Sequence, residues 1–277
     1  MVAPIVRFIK RLLVLVPGLV VTYFVAMDFY PYLNRRTSAA LALFLAYVIT
    51  AYIFIPALIR LLNQFIYKEH IPLYCTTPDG FASDPVNIGL VGTRKQLIQA
   101  MTDAGWHRAD KRTIRTSFRM LTSFVLRQQY PTAPFSNLFL FGRRQDIGFE
   151  IPLDSNPRHR HHVRFWAASH TGDPRLTEHV SFWARFHRSE LQQGGRVLWV
   201  GAASLDTGLG FIRHNAQVTH MVHPNTDRER DLIVKQLKKT KHVKRYRKVK
   251  IGIPYRLTNR VFRAYLQSDG KMAICEL

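Results

Sequence analysis

Two long stretches without a charged side chain occupy the first quarter of this sequence. Residues 12–27 form one run of 16, and residues 37–59 a second run of 23. As a helix the second is roughly 34 Å long, enough to cross a hydrocarbon core of about 30 Å. The first spans if Asp28 sits in the far interface, with Tyr30 and Tyr32 as aromatic belt residues. Pro17, Gly18 and Pro56 are tolerated in such helices. Arg7, Lys10 and Arg11 also suit a signal peptide, but no small-x-small cleavage pattern follows, and the second run remains an anchor. The pattern predicts a two-helix transmembrane hairpin over residues 1–69 (helices about 12–33 and 37–59), a linker over 70–83 and a soluble domain over 84–277.

Charge orients the hairpin and narrows the domain's partners. Three basic residues precede the first run, two lie between the runs and two follow, so the positive-inside tendency places residues 70–277 in the cytoplasm. Residues 71–277 hold 33 of the 40 basic and 16 of the 18 acidic side chains, an excess of +17. Such a surface attracts nucleic acid, anionic lipid or phosphorylated molecules. Nucleic acid is least favoured, because no reader motif or patterned aromatic platform accompanies the charge. A hydrophobic fraction of 47% excludes a disordered chain. The two cysteines, Cys75 and Cys275, exclude a disulfide framework and a four-cysteine zinc site.

The soluble part reads as α+β, with a mixed or antiparallel sheet and a few packed helices, because strands and helices do not alternate regularly. Strands are expected at 86–91, 137–141, 145–151, 160–167, 197–203 and 209–213, with a basic strand at 243–253. Thr93 caps a helix to about Gly105, and Thr226 with Glu229 has capping-box spacing for a helix over 226–240. Asp110 can cap a helix over 111–128. Its stripe of Ile114, Phe118, Leu121 and Val125 suits the domain core by default, or an anionic bilayer given Arg112, Arg115 and Arg119. A closing hairpin is expected to turn 261–266 into 272–275 through Ser268-Asp269-Gly270.

Walker A, GxGxxG, GxSxG and HExxH motifs are absent. Nine of the twelve histidines instead fall between His159 and His223. Strand alternation puts Arg160, His162, Arg164 and Trp166 on one face, two guanidiniums around an imidazole, which suits a phosphate or carboxylate with a proton donor beside it. A solvated basic edge strand has the same composition. His220 and His223 precede a helix start, where free N–H groups favour an anion, although Asp227 and Glu229 can simply complement the dipole. The expected site joins Arg143, Arg160 and Arg164 as anion-binding groups with His162, His220, His223 and Asp206 as the catalytic set, Asp206 orienting an imidazole. Asp146 and Glu150 are further acids, or partners for nearby arginines. His162, His220, His223 and Asp206 lack compact metal-ligand spacing, so no metal site is assigned.

The strings GLVGTRKQLIQAMTDAGW, FGRRQDIGFEIP, PRHRHHVRFW, LWVGAASLD, THMVHPNTDRERD and SDGKMAICEL, in that order over residues 84–277, resemble the LssY C-terminal domain family. The resemblance implies a bacterial, membrane-associated protein. Relatives fuse the domain to phosphatidic-acid-phosphatase-like or DedA-like membrane regions, but this chain lacks the acid-phosphatase signature, so that activity is not carried over. The stretch after Trp106, the insert 167–195 with Pro174 and Trp183, and Asn225 at a position usually acidic depart from the family pattern. The expectation is a multi-pass inner-membrane protein whose domain binds a phosphorylated or lipidic anion. Phosphate-ester or acyl hydrolysis is the chemistry these residues suit, and a binding-only pocket uses the same residues. The alternative is a non-catalytic envelope or secretion accessory. Cofactor and oligomeric state are not specified by the sequence.

Overall fold

The computed structural model describes Leu12 and residues 15–55, 57–58, 71–78, 80, 82–126, 128–134, 136–154, 159–169, 195–212, 217–259 and 264–277. The chain divides into two compact units, residues 1–68 with 76–81 and residues 69–75 with 82–277.

In the first unit, helix α1 (Leu15–Asn34) is the one helix among the described residues long and apolar enough to cross a membrane. Pro31 cannot donate to the preceding turn, and a widened π turn over Val25–Phe29 lies just ahead of it. Ser38 caps α2 (Ala39–Phe54) by accepting from the Leu41 N–H. Phe54 of α2 packs on Phe24 and Phe29 of α1, with ring centroids 5.9 and 5.5 Å away. Residues Ala39–Phe54 are about 24 Å of helix, and Ile55, Ala57 and Leu58 are also helical.

The second unit is a mixed α+β domain. Its strands are β1 (Tyr74–Thr76), β2 (Ala82–Pro85), β3 (Ile88–Gly92), β4 (His107–Arg108), β5 (Phe139–Leu140), β6 (Arg143–Arg144) and β7 (Ile147–Pro152). They continue with β8 (His159–Ser169), β9 (Val197–Ile212), β10 (Gln217–Val222), β11 (Arg245–Lys250), β12 (Tyr255–Asn259), β13 (Ala264–Ser268) and β14 (Lys271–Glu276). The main sheet runs β11-β14-β3-β9-β8-β7-β4, with β10 also on β9. All its pairs are antiparallel except β14 with β3. A smaller sheet runs β2-β1-β5-β6, and β12 pairs with β13. The helices are α3 (Arg94–Asp103), α4 (Ile114–Val125) and α5 (Asp227–Lys239).

Strand alternation splits the core into two layers. On one face of the main sheet Leu90, Val163, Phe165 and Trp199 pack with Leu97 and Met101 of α3 and Ile233 and Leu237 of α5. On the other, Trp166, Leu198, Val200 and Ile274 pack with Cys75 of β1 and Leu140 of β5. The β5–β6 turn places both Phe141 and Gly142 in the left-handed region, φ 53° and 72°, the two-residue geometry that matches strand twist. Burial of Phe141 between the sheets holds its unfavourable backbone.

Several expectations are corrected. The linker read over 70–83 supplies β1 and the first half of β2. The strands read at 197–203 and 209–213 are one strand, β9. Ser268-Asp269-Gly270 does turn the chain, but β13 pairs with β12 and not with β14. The buried run Met272–Cys275 takes a central place between β11 and β3, where both strand faces are covered. The expected strand 261–266 is described only from Ala264. Thr113 with Thr116, not Asp110, caps α4. Thr226 makes no side-chain cap for α5, whose Asp227 N–H is met by the Asn225 side chain. Residues 170–194, which hold Pro174 and Trp183, lie outside the described residues.

Gly201 sits in register with Ile88 on β3 and Phe165 on β8. A Cβ there would lie 2.6 Å from the Phe165 ring and 2.7 Å from Ile88. Gly201→Ala is therefore expected to destabilise the domain by about 1–3 kcal/mol, read as a lowered melting temperature; an unchanged value would contradict this packing.

Candidate functional site

The polar face of β8 points between the two sheets. Arg160, His162 and Arg164 alternate with His161, Val163 and Phe165, which face the helices. Cross-strand register sets Glu150 of β7 and Ser204 of β9 level with His162, and Asp206 level with Arg160. The smaller sheet contributes Asp84 from β2. Arg160 donates to Glu150 Oε2 at 2.7 Å and to Asp206 Oδ2 at 3.2 Å. Arg164 donates to Asp84 Oδ2 at 2.7 Å. His162 lies between two carboxylates, its Nε2 3.2 Å from Asp84 and its Nδ1 3.3 Å from Asp206. None of these six groups is more than 4% exposed.

Three basic side chains and three acidic ones therefore face one another inside the protein. Burial pushes Glu150 up to about 8, against the pull of Arg160 and His162. Burial alone would lower His162, but the Asp206 charge and hydrogen bonds to Asp206 and Asp84 raise it above its ordinary value. Burial would likewise raise Asp84, yet the His162 hydrogen bond and the Arg164 charge bring it below the usual carboxylate range. With a carboxylate at each ring nitrogen, the doubly protonated imidazolium satisfies both.

These directions fix a pH profile. Glu150 holds in the fold a proton that the unfolded chain loses near pH 4.5, so its contribution to stability falls as pH rises from about 4.5 to about 8. The stabilisation from His162 is full below its ordinary 6.5 and is lost as pH rises through its raised value. Asp84 acts oppositely, stabilising above 3.8 and losing this as pH falls through its lowered value. The melting temperature is expected to peak at mildly acid pH and to fall by several degrees toward pH 8. Glu150→Gln should flatten that fall, and an identical slope in the variant would contradict the assignment.

The structure brings together four of the expected site residues, Arg160, His162, Arg164 and Asp206, but surrounds them with Glu150 and Asp84. Their charges are met by protein. Arg143 lies elsewhere: its guanidinium bonds Asp146 and the Ala167 carbonyl, and its own carbonyl accepts from the Trp166 indole. His223 Nδ1 accepts the Asn225 N–H, so this imidazole is part of the turn into α5. The backbone of His220 pairs with Leu209 on β9; its side chain lies outside the described residues. His161 bonds Glu229 of α5 at 2.6 Å. Arg230, buried in α5, donates to Asp227, Asp269 and the Lys271 carbonyl, locking the helix to the turn before β14. Among the described residues no group of three or more His, Cys, Asp or Glu side chains is placed to hold a metal ion.

An open site lies elsewhere in the same unit. A cleft of about 450 Å³ is lined by Arg94, Arg108, Lys111, Arg112 and Arg144 together with Asp110 and Asp146, a volume within the usual range for small-ligand sites. Its carboxylates are occupied. Asp110 accepts from Tyr130 Oη at 2.6 Å and Thr132 Oγ1 at 3.0 Å. Partial burial and Asp110 itself push the Tyr130 hydroxyl up to about 12, keeping it a donor. Asp146 accepts from Arg143 and from the Ala167 N–H. Arg94 has a buried Nε with no partner among the described residues. Sequence reasoning missed this cleft because its cations come from four separate segments, each with the look of a solvated surface.

Fold and site together define a basic, layered α+β domain with a buried cluster of paired acidic and basic side chains. The chain belongs to the LssY C-terminus family, which it matches over residues 68–272. The match takes in the stretch that supplies β1 and β2. Neither the curated proteins nor the solved structures contain a match to the chain.

Proposed function

We propose that this chain is a bacterial membrane-anchored protein whose basic domain binds a phosphorylated or lipidic anion in the cleft of Arg94, Arg108, Lys111, Arg112 and Arg144. The observation that carries the reading is the charge excess of that cleft: five cations line it against two carboxylates, both of which also accept from other protein donors. Guanidiniums in such an array suit the bidentate geometry of a phosphate. Binding is favoured over hydrolysis. His162, an imidazole raised above its ordinary value, is held by carboxylates on both ring nitrogens and does not line the cleft. The anchor in this reading is a two-pass hairpin, α1 followed by the run at 37–59, which sets the domain on the cytoplasmic face of the inner membrane.

Calorimetric titration of the detergent-solubilised full chain with sn-glycerol 3-phosphate tests the cleft. Arg108→Glu combined with Arg144→Glu is expected to weaken binding at least about tenfold, the loss of roughly 1.4 kcal/mol or more, with wild-type binding weakened by added salt. Undiminished binding by the double variant would contradict the cleft. For topology, alkaline phosphatase fused after Leu277 should be inactive and a fluorescent protein there bright; the reverse would overturn the orientation.

A further inference from the structure

Helix α4 is built the wrong way round for a helix of a water-soluble domain. Its stripe of Ile114, Phe118, Leu121 and Val125 is 92, 66, 57 and 69% exposed. Leu126, just past its end, is also exposed. On the opposite side Ser123 is buried, and Thr116 and Met120 are half-buried. Among the described side chains the helix thus turns Thr116, Met120 and Ser123 inward and its apolar stripe outward. A soluble helix does the reverse. Local contacts hold the helix: Thr113 and Thr116 form a reciprocal cap, Thr116 Oγ1 donates to the Lys111 carbonyl at 2.8 Å, and Arg119 stacks on the Tyr130 ring at 4.3 Å.

Charge selects the occupant of this face. From Lys111 to Gln145 the sequence carries seven basic residues and no acidic one. Lys111, Arg112 and Arg115 are exposed around the N-terminal end of the stripe. A second copy docking stripe to stripe would set these cations against their equivalents if parallel, or against the other helix's C-terminal end if antiparallel, and in neither case does this stretch supply a carboxylate to meet them. An anionic bilayer supplies both an apolar phase for the stripe and phosphates for the rim. The same chain also carries α1, long and apolar enough to span a membrane.

We infer that α4 lies in the interface of an anionic lipid bilayer, with Ile114, Phe118, Leu121 and Val125 among the acyl chains and Lys111, Arg112 and Arg115 at the headgroup phosphates. Lys111 and Arg112 also line the cationic cleft, so the cleft opens at headgroup level. The source of its ligand, a lipid phosphate, rests on the binding function proposed above. The position of α4 does not.

The test uses the full chain bearing Phe118→Cys, labelled with an environment-sensitive fluorophore and reconstituted in vesicles of equal phosphatidylcholine and phosphatidylglycerol. Cys75 and Cys275 are buried, and wild-type chain taken through the labelling gives their background. The expected result is a blue-shifted emission quenched by nitroxides on the lipid acyl chains. Both effects should drop severalfold in the Arg112→Glu, Arg115→Glu variant, whereas a label at Lys239→Cys, on the exposed end of α5, stays water-like. Water-like emission at position 118 overturns the inference. So does a blue shift that ignores the nitroxides and grows with protein concentration, since a second copy would then cover the stripe. Glycerol 3-phosphate binding by the same labelled chain separates the two proposals. Retained binding with a water-like label removes only the helix inference, and lost binding with a quenched label removes only the cleft.

Discussion

The pairing of Arg160, His162 and Arg164 with Asp84, Glu150 and Asp206 joins four strands from two sheets. Most of the inter-sheet layer is held by apolar contact among Trp166, Val200, Ile274, Cys75 and Leu140. At the end where the β8 side chains become cationic, cohesion depends on matching each cation with an acid brought by another strand. Removing one partner from such a set leaves an uncompensated buried charge and costs about 3–5 kcal/mol. Ionic pairing of this kind fixes register as well as stability. A one-residue slip of β8 would drive Arg160, His162 and Arg164 into the helix-facing core and expel Val163 and Phe165 from it.

The opposite face of the main sheet is pinned by a second polar set. His161 reaches Glu229, Trp106 donates from its indole to Gln236 at 2.9 Å, and Asn87 bonds both the Ala203 and Thr226 carbonyls. The string HPNTDRER, which suggests an anion site at a helix start, is thus consumed by the fold. His223 and Asn225 shape the turn, Asp227 accepts the Asp269 N–H, and Arg230 ties α5 to the turn before β14. Long polar motifs and functional sites need not coincide.

What the sequence made legible was local. Thr93 caps α3 as expected, with Gln96 completing the reciprocal cap, and the alternation in Arg160–Trp166 sorted the two faces of β8 correctly. Pairing was not legible. Nothing near Asp84 distinguishes it from a loop aspartate, because its partners lie about eighty positions away, and Glu150 could be named only as one possible acid among several. The short strands β1, β4 and β6 have too few residues to show a period. The stripe of α4 was plain in the sequence, but its direction was not, since periodicity specifies that a helix is two-faced and leaves open which face the domain covers.

The two polar regions have opposite character. The buried cluster is closed, its cations met by Asp84, Glu150 and Asp206, whereas the cleft of Arg94, Arg108, Lys111, Arg112 and Arg144 is open and its cations outnumber its acids. An anion entering the protein should therefore choose the cleft. The most direct measurement is an experimental structure of the full chain grown with sn-glycerol 3-phosphate. The expected density places the phosphate within hydrogen-bond distance of Arg108, Lys111 and Arg144, with Asp84 and Glu150 still on Arg164 and Arg160. A phosphate bound instead to Arg160 and Arg164, with those carboxylates displaced, would contradict the assignment of structure to the cluster and binding to the cleft.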